Sequence, residues 1–245
     1  MLQLNFKGSR VMIALFSILS LLTACTEKQG SSSIDSAKSA SDKPSTNIEG
    51  QPKNNSTGEE LRKEKNILFF GTSLTAGYGL TVNEAFPALI QHKINEAKLP
   101  YQVINAGLSG ETSAAGNTRI DWLLKQPIDI LVLELGANDG LRGLPLKETK
   151  QNLQQIIDKV RKKNPEVKIV LAGMQIPPSM GADYATEFKS LFPELARKND
   201  LVLVPFLLQG VGGVPKLNQG DGIHPTAEGQ KILAENVWAQ LKSVL

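Results

Sequence analysis

A chain of 245 residues with a formal charge of +3, its basic residues scattered among acidic ones, lacks the concentrated basic face that nucleic-acid binding needs. The single cysteine, Cys25, excludes an intramolecular disulfide, and neither it nor the two histidines falls in a cluster of metal-ligand spacing. No metal and no cofactor is therefore expected.

Lys7 and Arg10 flank an apolar run over residues 11–22, and Leu22-Thr23-Ala24-Cys25 follows. An apolar stretch of about a dozen residues is short for a lone membrane-spanning helix and suits an export signal. Residues 1–24 are expected to be a cleaved signal peptide. Its end resembles the bacterial lipoprotein signature, in which a leucine and two small residues precede the cysteine that becomes lipidated. That resemblance implies an acyl anchor at Cys25, attachment to a membrane of the bacterial cell envelope and, with Thr26 in place of an aspartate, no inner-membrane retention. The outer membrane or its periplasmic face is then the expected location where the cell has one. The other reading is a plain signal peptide with an incidental cysteine.

From Thr26 to residue 63 the chain is Ser, Lys, Asn, Gly, Glu, Gln and Pro with hardly an apolar side chain. Such a segment buries too little surface to offset its ordering entropy, so residues 25–63 are expected to be the lipidated cysteine and a flexible tether. The remaining part, residues 64–245, has the size of one domain with one core.

Within that domain short apolar runs alternate with longer helical patterns. Strands are expected at 66–70, 101–105, 128–135, 168–172 and 202–206, and helices at 85–97, 113–125, 146–163, 184–198 and 226–245. Continuous apolar runs such as that at 128–133 suit strands covered on both faces. Their alternation with helices specifies a parallel sheet with right-handed crossovers, an α/β fold of three layers, α/β/α. The 146–163 helix carries Leu153, Ile156, Ile157 and Val160 on one stripe and charged groups opposite, as a covering helix should.

Four stretches at strand ends or before the last helix could carry chemistry. In Phe69-Phe70-Gly71-Thr72-Ser73, the hydroxyl of Ser73 would stand at the carboxyl end of a strand, where ligands bind in open α/β sheets; a turn serine bonding a free N–H is the alternative. In Asn105-Ala106-Gly107-Leu108-Ser109-Gly110, Gly110 can offer a backbone N–H to a ligand unobstructed by a side chain, or it can simply open the next helix. In Gly136-Ala137-Asn138-Asp139-Gly140, Asn138 can present an NH₂ donor to an oxyanion, or serve as a turn residue; Asp139 and Arg142 read as a local ion pair or solvated charges. In Asp221-Gly222-Ile223-His224, the three-residue spacing lets a compact turn bring the carboxylate to one ring nitrogen and leave the other for a serine hydroxyl, with Thr226 capping the last helix. His92, on a helix between Gln91 and Lys93, reads as a solvated surface residue.

Taken together, these four blocks resemble the SGNH hydrolases, or GDSL esterase/lipase family, over nearly the whole domain. The phrases from Asn105 to Thr112, from Leu133 to Gly143 and Met174-Gln175-Ile176 are similar to those of the bacterial arylesterase, acyl-CoA thioesterase I and lysophospholipase L1 subgroup. The resemblance implies a three-layer flavodoxin-like α/β/α domain with a five-stranded parallel sheet. It also implies a serine esterase acting on carboxylic esters, thioesters or lysophospholipids, with catalytic Ser73, His224 and Asp221 and an oxyanion hole from Ser73, Gly110 and Asn138. The partner implied is a small acyl ester; the oligomeric state is left open. This chain departs from the family at Thr72, where an aspartate is usual, which bears on the hydrogen bonding around Ser73. The Gly71-x-Ser73-x-x-x-Gly77 spacing also differs from the Gly-x-Ser-x-Gly elbow of the α/β-hydrolases. A carbohydrate O-acetylesterase and a non-catalytic binding module on the same scaffold are the rival functions. Ile176, Pro177, Pro178, Met180, Leu207, Leu208, Val211 and Val214 could line an acyl groove or be ordinary loop packing.

Overall fold

The computed structural model describes residues 64–245, and the expectations for the signal peptide, Cys25 and the tether lie outside them. Five strands, β1 (Lys65–Gly71), β2 (Tyr101–Gly107), β3 (Ile130–Glu134), β4 (Lys168–Ala172) and β5 (Val202–Val204), form one parallel sheet in the order β2-β1-β3-β4-β5. The three-layer α/β architecture is as expected, with strand boundaries adjusted. β3 begins at Ile130, and the chain just before it is cross-linked to its neighbours: Asn66 N–H donates to the Asp129 carboxylate, and the Asn164 amide donates to the Ile128 carbonyl. β5 stops at Val204 because the pairing with β4 then slips by one residue: Gly173 N–H donates to the Val204 carbonyl, but the Gly173 carbonyl accepts from Leu207 N–H.

The covering helices are α2 (Phe86–Glu96), α3 (Ser113–Leu123), α5 (Leu146–Lys163), α6 (Ala182–Asn199) and α7 (Ala227–Leu241), with two short helices, α1 (Ser73–Ala76) and α4 (Ala137–Leu141), at the ends of β1 and β3. α2 packs with α7 on one face, and α3, α5 and α6 lie side by side on the other. β1 is an interior strand, and Ile67, Leu68, Phe69 and Phe70 are fully buried between the layers, each contributing about 1.5–3 kcal/mol of transfer free energy. Gln230 ties the layers at the upper edge: its Oε1 accepts from Phe86 N–H at 2.9 Å, and its Nε2 donates to the Leu74 carbonyl at 3.3 Å.

From β1 the chain steps to β2 on one side, then crosses to β3 on the other. Loops following β1, β2 and β3 therefore meet at one point on the carboxyl edge, the switch point at which open α/β sheets bind ligands.

Candidate active site

Ser73 opens α1 directly after β1, so its N–H belongs to the first turn and has no intrahelical acceptor. The one-turn helix was not expected; it is closed by Gly77 in left-handed geometry, φ +73°. Ser73 Oγ lies 2.9 Å from His224 Nε2, although the residues are 151 positions apart. On the other side of the ring, His224 Nδ1 is 2.6 Å from Asp221 Oδ2. The second carboxylate oxygen, Oδ1, accepts the N–H groups of Ile223 at 2.8 Å and His224 at 3.0 Å. Three donors on one carboxylate, the His224 backbone N–H first, then its ring and the Ile223 N–H, hold Asp221 well below the usual carboxylate range. It keeps its charge as pH falls through that range, which fixes the Nδ1–H tautomer and leaves Nε2 to accept from Ser73.

The loop carrying His224 is itself held. Gln219 N–H donates to the His224 carbonyl at 2.7 Å, and Gln219 Nε2 donates to the carbonyls of Tyr78 and Pro225 at 2.7 and 2.9 Å. The Tyr78 ring lies 4.5 Å from the imidazole, tilted by 37°. Neither Gln219 nor Tyr78 stands out in the sequence, because their role comes from contacts between the loops at 73–80 and 219–226. Thr226 caps α7 as expected, its Oγ1 accepting from Gly229 N–H. His92 is exposed on α2.

The loops after β2 and β3 are cross-linked. Asn138 Nδ2 donates to the Glu111 carbonyl at 2.9 Å, which spends one amide hydrogen and orients the other. Arg142 Nη2 donates to the Gly110 carbonyl at 3.0 Å. Gly110 has φ +79°, a conformation that favours glycine. Glu111 is clamped in turn by Arg119, which bonds both its oxygens and the Ala106 carbonyl and stacks over the Phe70 ring.

Asp139 corrects the reading of a solvated or ion-paired charge. It is buried, and its carboxylate accepts from Ser113 N–H at 2.8 Å and Ser113 Oγ at 2.5 Å, with Thr149 Oγ1 at 3.3 Å. It thus binds the start of α3 to α4 and holds the Gly110 and Asn138 segments in register.

Another buried acid, Glu134, is one that the sequence did not single out. Glu134 ends β3, and its carboxylate accepts from Thr72 N–H at 2.8 Å, Thr72 Oγ1 at 3.0 Å and Thr75 Oγ1 at 2.8 Å. Burial raises its pKa to about 7 against these hydrogen bonds. The native state therefore keeps a proton that the unfolded chain releases, and stability falls as pH rises from the ordinary carboxylate range to about 7. The departure at Thr72 finds its structural meaning here, since the hydroxyl serves Glu134 and leaves the Ser73–His224 contact intact. A side chain at Gly71 would meet Thr75 Oγ1 and Glu134 Oε2 well inside van der Waals distance, so the approach needs glycine.

Residues 69–232 match the model of the GDSL-like Lipase/Acylhydrolase family, which spans most of the described domain. The chain belongs to this family. A member from Pseudomonas aeruginosa, Esterase TesA, is 40% identical over 180 residues, 73% of this chain and 89% of that one. Thioesterase 1/protease 1/lysophospholipase L1 of Escherichia coli K12 is 38% identical over 181 residues, 73% and 84% of the two chains. The crystal structure of TesA superposes with a TM-score of 0.71 at 40% identity, covering 74% of this chain and 100% of that one.

For a GDSL-like acylhydrolase the candidate acyl groove differs from the expectation. Ile176, Leu207 and Val211 are buried core residues, packed by α4, α6 and α7, and cannot line an open groove. The large apolar side chains exposed in the segments that follow β1 to β4 or precede α7 are Tyr78, Val82, Leu108, Leu141, Met180 and Ile223, of which Met180 alone belongs to the expected set. A depression of about 650 Å³ bounded by Pro165, Lys168, Val202 and Leu245 lies at the opposite edge of the sheet and is remote from these loops.

Proposed function

We propose that the protein hydrolyses carboxylic esters by two-step acyl transfer, with Ser73 as nucleophile, His224 as general base and then acid, and Asp221 as its orienting carboxylate. The observation that carries this reading is the unbroken run of contacts from Ser73 Oγ to His224 Nε2 to Asp221, at 2.9 and 2.6 Å. Ser73 Oγ bonds to the acyl carbon as its proton passes to Nε2. Collapse of the tetrahedral intermediate breaks the bond to the leaving oxygen or sulfur, which takes that proton. Water then attacks the acyl-enzyme, giving its proton to Nε2, and Ser73 departs with it as the free acid forms. The Ser73 and Gly110 N–H groups and the free hydrogen of Asn138 Nδ2 are assigned to the oxyanion. A fluorophosphonate probe is expected to label Ser73 in the wild-type protein. Folded protein that resists labelling would instead favour a binding module.

The exposed apolar side chains of the segments after β1 to β4 and before α7, Tyr78, Val82, Leu108, Leu141, Met180 and Ile223, favour substrates with an apolar acyl or aryl group over carbohydrate acetyl esters. The names of the relatives, esterase and thioesterase/lysophospholipase, fit the same range. On p-nitrophenyl esters, kcat/KM is expected to rise from acetate toward medium chains by up to about fourfold per methylene, the equivalent of ~0.8 kcal/mol per buried CH₂. A preference for acetate over every longer chain would point to an O-acetylesterase.

We also propose a lipid anchor at Cys25 that holds the enzyme to a membrane of the bacterial cell envelope, the outer membrane where there is one. Its support is the sequence of residues 7–25. Cys25→Ser is expected to shift the protein from the membrane fraction to the soluble one, and an unchanged partition would remove the proposal.

A further inference from the structure

Glu134 is a carboxylate buried among N–H and O–H donors, with no cation among its hydrogen-bond partners. Burying such a group is unfavourable unless its donors are well placed. What sets the group apart is the origin of its donors. Thr72 N–H and Thr72 Oγ1 lie immediately before Ser73, and Thr75 Oγ1 lies two residues after it. One side chain therefore grips both flanks of the residue that touches His224.

We propose that Glu134 is a positioning residue for the nucleophile, clamping the turn from Thr72 to Thr75 so that the Ser73 hydroxyl meets His224 and the Ser73 N–H faces the substrate oxygen. The inference rests on Ser73 being the nucleophile. The bond to Thr72 N–H fixes the Gly71–Thr72 peptide plane, one residue ahead of the plane that carries the Ser73 N–H, and the bond to Thr75 sets the pitch of the single helical turn. The two threonine hydroxyls do this in a chain that lacks an aspartate at position 72. Oε2 accepts from Thr72 N–H and Thr75 Oγ1, and the Thr72 hydroxyl lies between the two oxygens, 3.0 Å from Oε1 and 3.1 Å from Oε2. A glutamine can reproduce that pattern: its oxygen at the Oε2 position accepts the same two bonds, and its NH₂ donates to Thr72 Oγ1 with that hydroxyl reversed. A valine can reproduce none of it.

The test compares wild type, Glu134→Gln, Glu134→Val and Thr75→Val in the full chain. It measures kcat and KM on a p-nitrophenyl ester, the fluorophosphonate labelling rate at Ser73 and the melting temperature. Glu134→Gln is expected to keep kcat within about threefold of wild type. Glu134→Val should lose about 10²-fold in kcat with little change in KM, the scale of a misplacement of about 1 Å, and its labelling rate should fall in step. Thr75→Val, which removes one donor without adding bulk, should lose a smaller part of both.

A folded Glu134→Val with wild-type kcat, or one altered only in KM, overturns the proposal, as does a glutamine variant that falls as far as the valine one. Should Glu134→Val fail to fold, Thr75→Val decides, and wild-type kcat and labelling in that variant overturn the clamp. Absence of labelling at Ser73 in the wild type would be a failure of the nucleophile assignment and is read separately.

Discussion

Ser73→Ala and His224→Ala are each expected to lower kcat on a p-nitrophenyl ester by about 10⁴- to 10⁶-fold, with melting temperatures close to wild type. In the proposed mechanism serine loss removes the atom that bonds to the acyl carbon, and histidine loss removes the proton acceptor 2.9 Å away, so each eliminates the same step. The double variant should be no worse than either single one, because the two groups act as a unit. Folding should be nearly unaffected, since the bond removed lies at the open rim and not within the core formed by Phe69, Phe70 and their neighbours. Asn138→Ala should cost less, about 10²- to 10³-fold, because two oxyanion donors remain. A folded Ser73→Ala or His224→Ala enzyme within tenfold of wild type would sink the proposed chemistry.

What could be read before the fold was known, and what could not, follows from the range of the interactions. β1 and β3 were legible because parallel strands covered on both faces leave uninterrupted apolar runs, such as Ile67 to Phe70 and Ile130 to Leu133. α1 and α4 were not, because helices of four and five residues are too short to display a 3.6-residue period. The Asp221 and His224 pairing was legible because it is local, the two residues lying three positions apart. Glu134 was not: its donors lie 59 to 62 positions earlier, and a lone acid at a strand end reads as the point where the chain meets water. Asp139 was misread for the same reason, since its main partner is Ser113, 26 positions away. The acyl-groove expectation failed at Ile176, Leu207 and Val211 because apolar loop residues face the core or the solvent according to how α6 and α7 close over them, which local composition does not encode.

These buried acids also explain how a shallow rim can hold several donors in fixed positions. Glu134 joins the β1 and β3 ends, Asp139 joins α3 to α4, and the Asn138 and Arg142 side chains bridge the loops after β2 and β3. Every loop that contributes a proposed oxyanion donor is thus tied to a neighbour by a bond to a carboxylate or a carbonyl. Preorganisation of this kind lets donors act on developing charge without reorganising during the reaction.

Asp221→Asn is the sharper test of the charge arrangement, because it should remove activity while sparing the loop. The asparagine carbonyl oxygen can take the Oδ1 position and still accept the N–H groups of Ile223 and His224, so the turn keeps its backbone bonds. Its NH₂ group then occupies the Oδ2 position, 2.6 Å from His224 Nδ1, and presents a donor where the wild-type ring also donates. The imidazole answers by moving its proton to Nε2. A protonated Nε2 cannot accept from Ser73, and the imidazolium that would form in the transition state has lost its counter-charge, so kcat should fall by about 10⁴-fold with the melting temperature little changed. Asp221→Ala should lose activity comparably but also loosen the 221–224 turn, lowering the melting temperature further. Steady-state kinetics beside a thermal melt separates the two effects. If folded Asp221→Asn kept kcat within tenfold of wild type, the ring of His224 would be oriented by something other than this carboxylate.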